Sequence, residues 1–171
     1  QDLPLREDPV SGPTVAGVSE WSANRVQDVM DLLERGNKYR TTEGTAANAV
    51  SSRSHAVLQV AIEQADAGLS SKTMSKLSLI DLAGSERASK TENRGIRLRE
   101  GANINRSLLS LGNCINALGK KGQFVPYRDS KLTRLLKDSL GGNCRTVMLA
   151  CITPATSSFE ETLNTLKYAN R

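Results

Sequence analysis

The chain has 171 residues, of which 38% are hydrophobic, 24% charged and 4% aromatic, with a formal net charge of +5. That length supports one ordinary globular domain or part of one, and no stretch reaches the roughly 20 consecutive apolar residues of a membrane helix. The positive balance points to a polyanionic partner, whether nucleic acid, a membrane surface or an acidic protein lattice, and the scarcity of aromatics argues against a stacking platform for single-stranded nucleic acid.

The first dozen residues carry Pro4, Pro9 and Gly12 and read as a loop leading to a short strand around Thr14 to Val18. Val26, Val29, Met30 and Leu33 fall at helical spacing, and Gly36 stands where a left-handed residue closes a helix. From Gly36 to Ser54 the chain is polar and without period, a long loop of the kind that is usually functional. His55 to Ile62 and Lys76 to Leu82 read as strands of an antiparallel hairpin. The stretch from Gly84 to Asn103, with Arg87, Lys90, Arg94, Arg97 and Arg99, reads as a basic loop. Ile104, Leu108, Leu111, Ile115 and Leu118 then form an apolar stripe on a helix stopped by Gly119. Asp129 to Leu140 reads as one helix with leucines on one face and Lys131 and Arg134 on another. Thr146 to Ile152 predicts a buried strand, and Ser158 with Glu161 a capping box on a last helix. Cys114, Cys144 and Cys151 are odd in number and lack C-x-x-C spacing, so they read as small core residues rather than a disulfide or zinc framework.

Two polar runs stand out. Asp81-Leu82-Ala83-Gly84-Ser85-Glu86 puts a carboxylate at a strand's carboxyl end and a glycine three residues later, where an Asp can hold a magnesium-bound water and a bare amide can approach a phosphate. Alone, such a run is common and more often describes a strand-ending Asp that caps a turn. Asn48-Ala49-Val50-Ser51-Ser52-Arg53-Ser54-His55 offers hydroxyls and an arginine able to supply a magnesium ligand, orient a water and latch to a carboxylate. Alone, it is also an ordinary polar turn. His55, the only histidine, reads as a packing or hydrogen-bonding residue at a strand start rather than a catalytic base.

Taken together and in this order, these runs, the Ile-Asn-Arg-Ser-Leu helix start and the Pro-Tyr-Arg-Asp-Ser-Lys-Leu-Thr-Arg-Leu-Leu segment resemble the kinesin motor family over essentially the whole chain, most closely its kinesin-8 branch. The resemblance implies an α/β fold, a partial P-loop-NTPase-like motor with a mixed central sheet flanked by helices, its N-terminal half absent, and residues 1–171 forming the C-terminal part of one motor domain. It implies ATP and Mg2+ as cofactors of the complete domain. Asn48 and Ser52 would face the nucleotide, with Ser52 on the metal and Ser51 orienting the attacking water. Asp81 would act on the metal through a water, and the Gly84 amide would touch the γ-phosphate. Arg53 and Glu86 would close the site as an ion pair. Lys90, Arg128, Lys131 and Arg134 match positions that face acidic tubulin. The expected partner is therefore the microtubule, with no membrane and no nucleic acid, in a parent that is dimeric through other segments and resides on the cytoplasmic cytoskeleton.

No G-x-x-x-x-G-K-S/T run occurs in the sequence, so the amides and lysine that cradle ATP phosphates in such motors are expected upstream, and the chain alone is expected to be ATPase-inactive. Two rival readings predict different behaviour. A non-motor microtubule-binding module would use the basic face without nucleotide, and a basic nucleic-acid-binding domain would bind duplex DNA with steep salt dependence.

Overall fold

A computed structural model describes residues 3–8, 12–42, 54–65, 72–84 and 96–170. The chain divides into two compact units, Val26–Gly84 and Gln1–Arg25 together with Ser85–Arg171.

The Val26–Gly84 unit holds helix α1 (Val26–Thr42) and the strands β3 (Ala56–Ala65) and β4 (Lys72–Asp81). Asp28 in the first turn of α1 and Arg40 in the last complement the helix dipole. The expected stop at Gly36 is overturned: the helix continues to Thr42. A glycine inside an exposed helix costs only about 1 kcal/mol, and Arg40, bound at the far end to Ser54 and Asp81, holds the last turn in place. The β3–β4 hairpin forms as expected and is longer at its turn end, pairing Ala56 with Asp81 through to Ala65 with Lys72 in antiparallel register. Alternation puts Leu58, Val60 and Ile62 on the same face as Leu77 and Leu79, since Leu58 faces Leu79 and Val60 faces Leu77. Ile62, Leu77 and Leu79 all remain exposed.

In the other unit, the expected N-terminal loop is instead a ribbon. Strand β1 (Leu5–Asp8) pairs antiparallel with β2 (Gly12–Val15), and the strand predicted at Thr14 to Val18 is thus shifted toward the N-terminus. Gly12 is needed at the start of β2: its φ is +74°, and a Cβ there would lie 2.6 Å from Asp138 Oδ2.

Helix α2 spans Ile96–Leu118, so 96–103 is helix and not loop. Once the apolar part of a helix is nucleated, adding a polar turn costs little, which is why a segment without apolar rhythm joins it. The buried line along α2 is Ser110, Leu111, Cys114 and Ala117, whereas Leu109 and Leu118 are exposed. The predicted stripe is therefore rotated toward small residues, which let α2 approach helix α3 (Lys131–Leu135) and the 3-10 turn Tyr127–Asp129 closely. Cys114 is fully buried, as expected of a core residue, but Cys144 and Cys151 are exposed.

The helix predicted over Asp129 to Leu140 is interrupted. After the 3-10 turn, α3 and helix α4 (Lys137–Gly141) are separated at Leu136, whose φ and ψ are −90° and 4°. Thr146–Ile152 is not a buried strand: Val147 is 83% and Leu149 86% exposed. Among the described residues it has no strand neighbour, and an apolar strand is stable only when its backbone groups are paired and its side chains covered. Helix α5 (Phe159–Ala169) follows a 3-10 turn at Thr156–Ser158. The predicted capping box at its start is absent, because Ser158 has φ −110° and ψ 18° in place of the extended backbone a cap requires, and its side chain makes no cap hydrogen bond. Thr162 anchors this helix instead, its hydroxyl donating to the Thr153 carbonyl at 3.1 Å. Tyr168 Oη donates to the Leu108 carbonyl of α2 at 3.3 Å.

Among the described residues no helix is long and apolar enough to cross a membrane.

Candidate functional site

Within the Val26–Gly84 unit, the carboxyl end of β4, the entry to β3 and the last turn of α1 meet. Arg40 donates from Nη1 to Asp81 Oδ2 at 2.9 Å, from Nε to Ser54 Oγ at 3.1 Å and from Nη2 to the Ser54 carbonyl at 2.7 Å. One planar guanidinium thus joins three chain segments, a task its fixed fork of donors suits better than a lysine ammonium. The Arg40 side chain is 15% exposed and that of Asp81 68%. The arginine is therefore the structural partner, while the carboxylate keeps an open side toward solvent.

Across the same corner, the Ala83 N–H donates to His55 Nδ1 at 3.0 Å. His55 accepts at Nδ1, so its ring is neutral with the proton on Nε2. Burial, reinforced by the nearby Arg40 charge and opposed by Asp81, holds its pKa below the ordinary histidine value. Ala83 is buried at 4% exposure and Gly84 follows it directly. The expected strand-start role of His55 is borne out in these contacts. Arg40 falls in the Gly36 to Ser54 stretch that reads as a loop, and nothing local in the sequence marks it for this role.

Of the residues proposed for the nucleotide site, Asp81 and Gly84 lie at this corner. Asn48, Ser51, Ser52, Arg53 and Glu86 lie outside the described residues, as does Lys90. Among the described residues, no group of three His, Cys, Asp or Glu side chains could hold a metal.

The cationic residues Arg128, Lys131 and Arg134 belong to the other unit. Arg128 sits in the 3-10 turn, and Lys131 and Arg134 on α3. This helix begins on Ser130, whose Oγ accepts the Thr133 N–H at 3.0 Å while Thr133 Oγ1 accepts the Ser130 N–H at 3.2 Å. Thr133 is fully buried, and its hydroxyl donates to the Tyr127 carbonyl at 2.8 Å. That reciprocal cap sets the direction in which α3 projects its cations.

Arg128 and Arg134 line a cleft of about 310 Å³ with Lys137, Glu7 and Phe124. Lys137 Nζ donates to Glu7 Oε1 at 2.6 Å. The hydrogen bond and charge of Lys137 hold the Glu7 carboxyl below its usual range, and Arg128 and Arg134 push the same way. Lys131 is exposed and does not line this cleft. Lys137 and Glu7 were not singled out from sequence, although Lys137 follows Arg134 at the helical spacing of three residues.

Comparison with known proteins decides the family. The kinesin motor domain family matches residues 1–171. The chain belongs to the kinesin motor family. It is 62% identical to the kinesin-like protein KIP3 of Saccharomyces cerevisiae over 99% of its length, covering 22% of that relative. It is 60% identical to the kinesin-like protein KIF19 of Mus musculus over 99% of its length and 18% of that protein. These relatives belong to the kinesin-8 branch to which the switch and helix sequences were assigned. Among solved structures it is similar to a KIF14 dimer in a two-heads-bound state with AMP-PNP, in complex with a microtubule. The TM-score is 0.88 at 47% identity, covering 99% of this chain and 49% of that one. The chain thus spans about half of that motor structure and about a fifth of the relatives' full lengths. The α/β kinesin class expected from the sequence holds.

Proposed function

We propose that this chain is the switch-bearing, lattice-facing part of a microtubule motor that couples ATP hydrolysis to movement or depolymerisation on the cytoplasmic cytoskeleton. The observation that supports it most is the Asp81–Gly84 corner at the carboxyl end of β4, in a chain that matches the kinesin motor family from end to end.

The donor set fits the cofactor. The 68% exposed carboxylate of Asp81 can accept from a metal-bound water, and magnesium keeps several of its waters and takes few protein oxygens, so a cage of carboxylates is not needed. When bound, Mg-ATP supplies the phosphoryl group and neutralises part of its charge. Gly84, with no Cβ, lets its backbone N–H approach a phosphate oxygen. Ser52 would contribute a hydroxyl to the metal, Asn48 would contact the nucleotide and Ser51 would orient the attacking water. Arg53 and Glu86 would pair to hold that water in line. Phosphoryl transfer is catalysed mainly by positioning and charge, so a latch that aligns one water carries much of the rate.

On the opposite task, Arg128 and Arg134, with Lys131 and Lys90, present positive charge to the acidic surface of tubulin, and such steering is salt-sensitive. Residues 1–171 alone hydrolyse no ATP, because the sequence holds no phosphate-cradling loop.

The test is microtubule-stimulated ATPase and co-sedimentation of the natural full-length polypeptide. Gly84→Ala should lower kcat by about 100-fold or more, the scale of losing one oriented donor to a developing charge. Arg134→Glu should weaken lattice binding while the basal ATPase stays unchanged. Wild-type co-sedimentation that ignores the nucleotide state, with no ATPase, would replace the motor by a non-motor lattice-binding module.

A further inference from the structure

His55 is the only histidine in the chain and has no assigned part in the proposed chemistry. Its Nδ1 accepts the Ala83 N–H at 3.0 Å, and Ala83 is the buried residue immediately before Gly84. The peptide between Ala83 and Gly84 carries the Gly84 N–H, so fixing the Ala83 end of that segment limits how the next amide can turn. Ala83 N–H lies beyond the last ladder pair, Ala56 with Asp81, and gains from the imidazole the acceptor that β3 no longer offers. Arg40 ties Ser54, the residue before His55, to Asp81, two residues before Ala83, so both segments that the imidazole bridges are held at the same corner.

We infer that His55 is a positioning residue: its Nδ1 holds the Ala83 amide so that the Gly84 N–H is presented to the terminal phosphate. The inference deepens the nucleotide-site reading and rests on it for the identity of the phosphate. Its geometry is specific, because the acceptor must sit one bond from the ring's Cγ. Asparagine offers an oxygen at that place, and glutamine offers one a bond further out.

The experiment compares His55→Ala, His55→Asn and His55→Gln in the natural full-length polypeptide, by microtubule-stimulated ATPase and by hydrogen exchange of the peptide containing Ala83 and Gly84. His55→Ala and His55→Gln should lower kcat about tenfold and leave the KM for ATP within about twofold, a scale set by the misorientation of one donor. His55→Asn should return kcat to within about threefold of wild type. Amide exchange at Ala83 and Gly84 should accelerate in the Ala and Gln variants and not in Asn. If His55→Ala fails to fold, the Asn and Gln pair, which both retain a polar side chain of similar bulk, decides alone. Equal kcat and equal exchange in Asn and Gln overturn the inference. A wild-type protein without ATPase overturns the motor reading instead, and the exchange comparison then still decides whether His55 holds Ala83.

Discussion

The two units solve the problem of burying apolar surface in opposite ways. In the helical unit, α2 and α3 close on Leu111, Cys114, Leu132 and Leu136, with the hydroxyl of Thr133 satisfied in their midst. In the hairpin unit, the apolar face of β3 and β4 leaves Ile62 at 47%, Leu77 at 50% and Leu79 at 55% exposure. Its order comes from polar couplings at one end, centred on Arg40 and His55. The contrast teaches that the α2–α3 contact is closed by its own residues, whereas the ribbon presents a face suited to covering by further structure. Uncovered two-stranded ribbons are marginal in water.

The same truncation in each unit should break this contrast if it is false. Leu136→Ala should destabilise the helical unit by about 2–5 kcal/mol, the range for emptying a buried leucine site. Leu79→Ala in residues 1–171, kept dilute enough to stay monomeric, should cost well under about 1 kcal/mol, because little area leaves water there. Denaturant titration of both variants checks it, and equal losses would mean that the ribbon face is covered in solution. Because such a face also invites pairing with other copies, residues 1–171 alone should self-associate, and light scattering that shows a monodisperse monomer with a cooperative melt contradicts this.

A smaller loss is expected at Thr133. Thr133→Val keeps the shape of the side chain but leaves the Ser130 N–H and the Tyr127 carbonyl without their partner, at about 1–3 kcal/mol. Thr133→Ser should recover most of it. The pair of variants, followed by urea melting, separates the hydroxyl's contribution from that of the methyl group.

The histidine adds a pH test of the polar corner. Unfolded, His55 takes up its proton near pH 6.5, and in the folded chain burial and Arg40 lower that value. Between the two values the unfolded chain binds more protons, so stability rises with pH through that window and is fully present above about 6.5. Acidification from pH 7 toward 5 should therefore loosen the hairpin unit more than His55→Asn does under the same change. Hydrogen exchange across the β3–β4 ladder at the two pH values measures it.

These regions also differ in how far they could be read in advance. The hairpin was legible because two strand-like runs, His55 to Ile62 and Lys76 to Leu82, flank a Gly- and Ser-containing connection, and Asp81 to Gly84 follows at its end. Arg40 was missed because a residue's long-range partners leave no local pattern, and the helix that presents it runs through a glycine. The axis of α2 was legible while its buried line was not, since Leu108, Ile115 and Leu118 outrank Cys114 and Ala117 in hydrophobicity but not in how closely they allow α3 to approach. Thr146–Ile152 carries a strand's composition, yet pairing is a property of neighbours and not of composition. The N-terminal ribbon was hidden by Pro9, Gly12 and Pro13, which signal a loop equally well.

The smallest effect belongs to the ion pair of Glu7 and Lys137, which lies at the cationic cleft. Both groups are solvated, so the attraction that lowers the Glu7 pKa and raises that of Lys137 is screened by salt and offset by the side-chain entropy of holding two long chains together. Lys137→Met should leave the melting temperature unchanged within error at physiological ionic strength and lower it measurably only at low salt. Its influence should fall instead on the charge presented to a partner. Among the described residues Glu7 is the only acidic one lining a cleft that also carries Arg128 and Arg134, so Glu7→Gln should strengthen salt-sensitive binding to microtubules and Lys137→Met should weaken it. Opposite shifts from the two variants, read as co-sedimentation against salt, separate a cleft that faces the lattice from one that does not, in which case neither variant moves the binding curve.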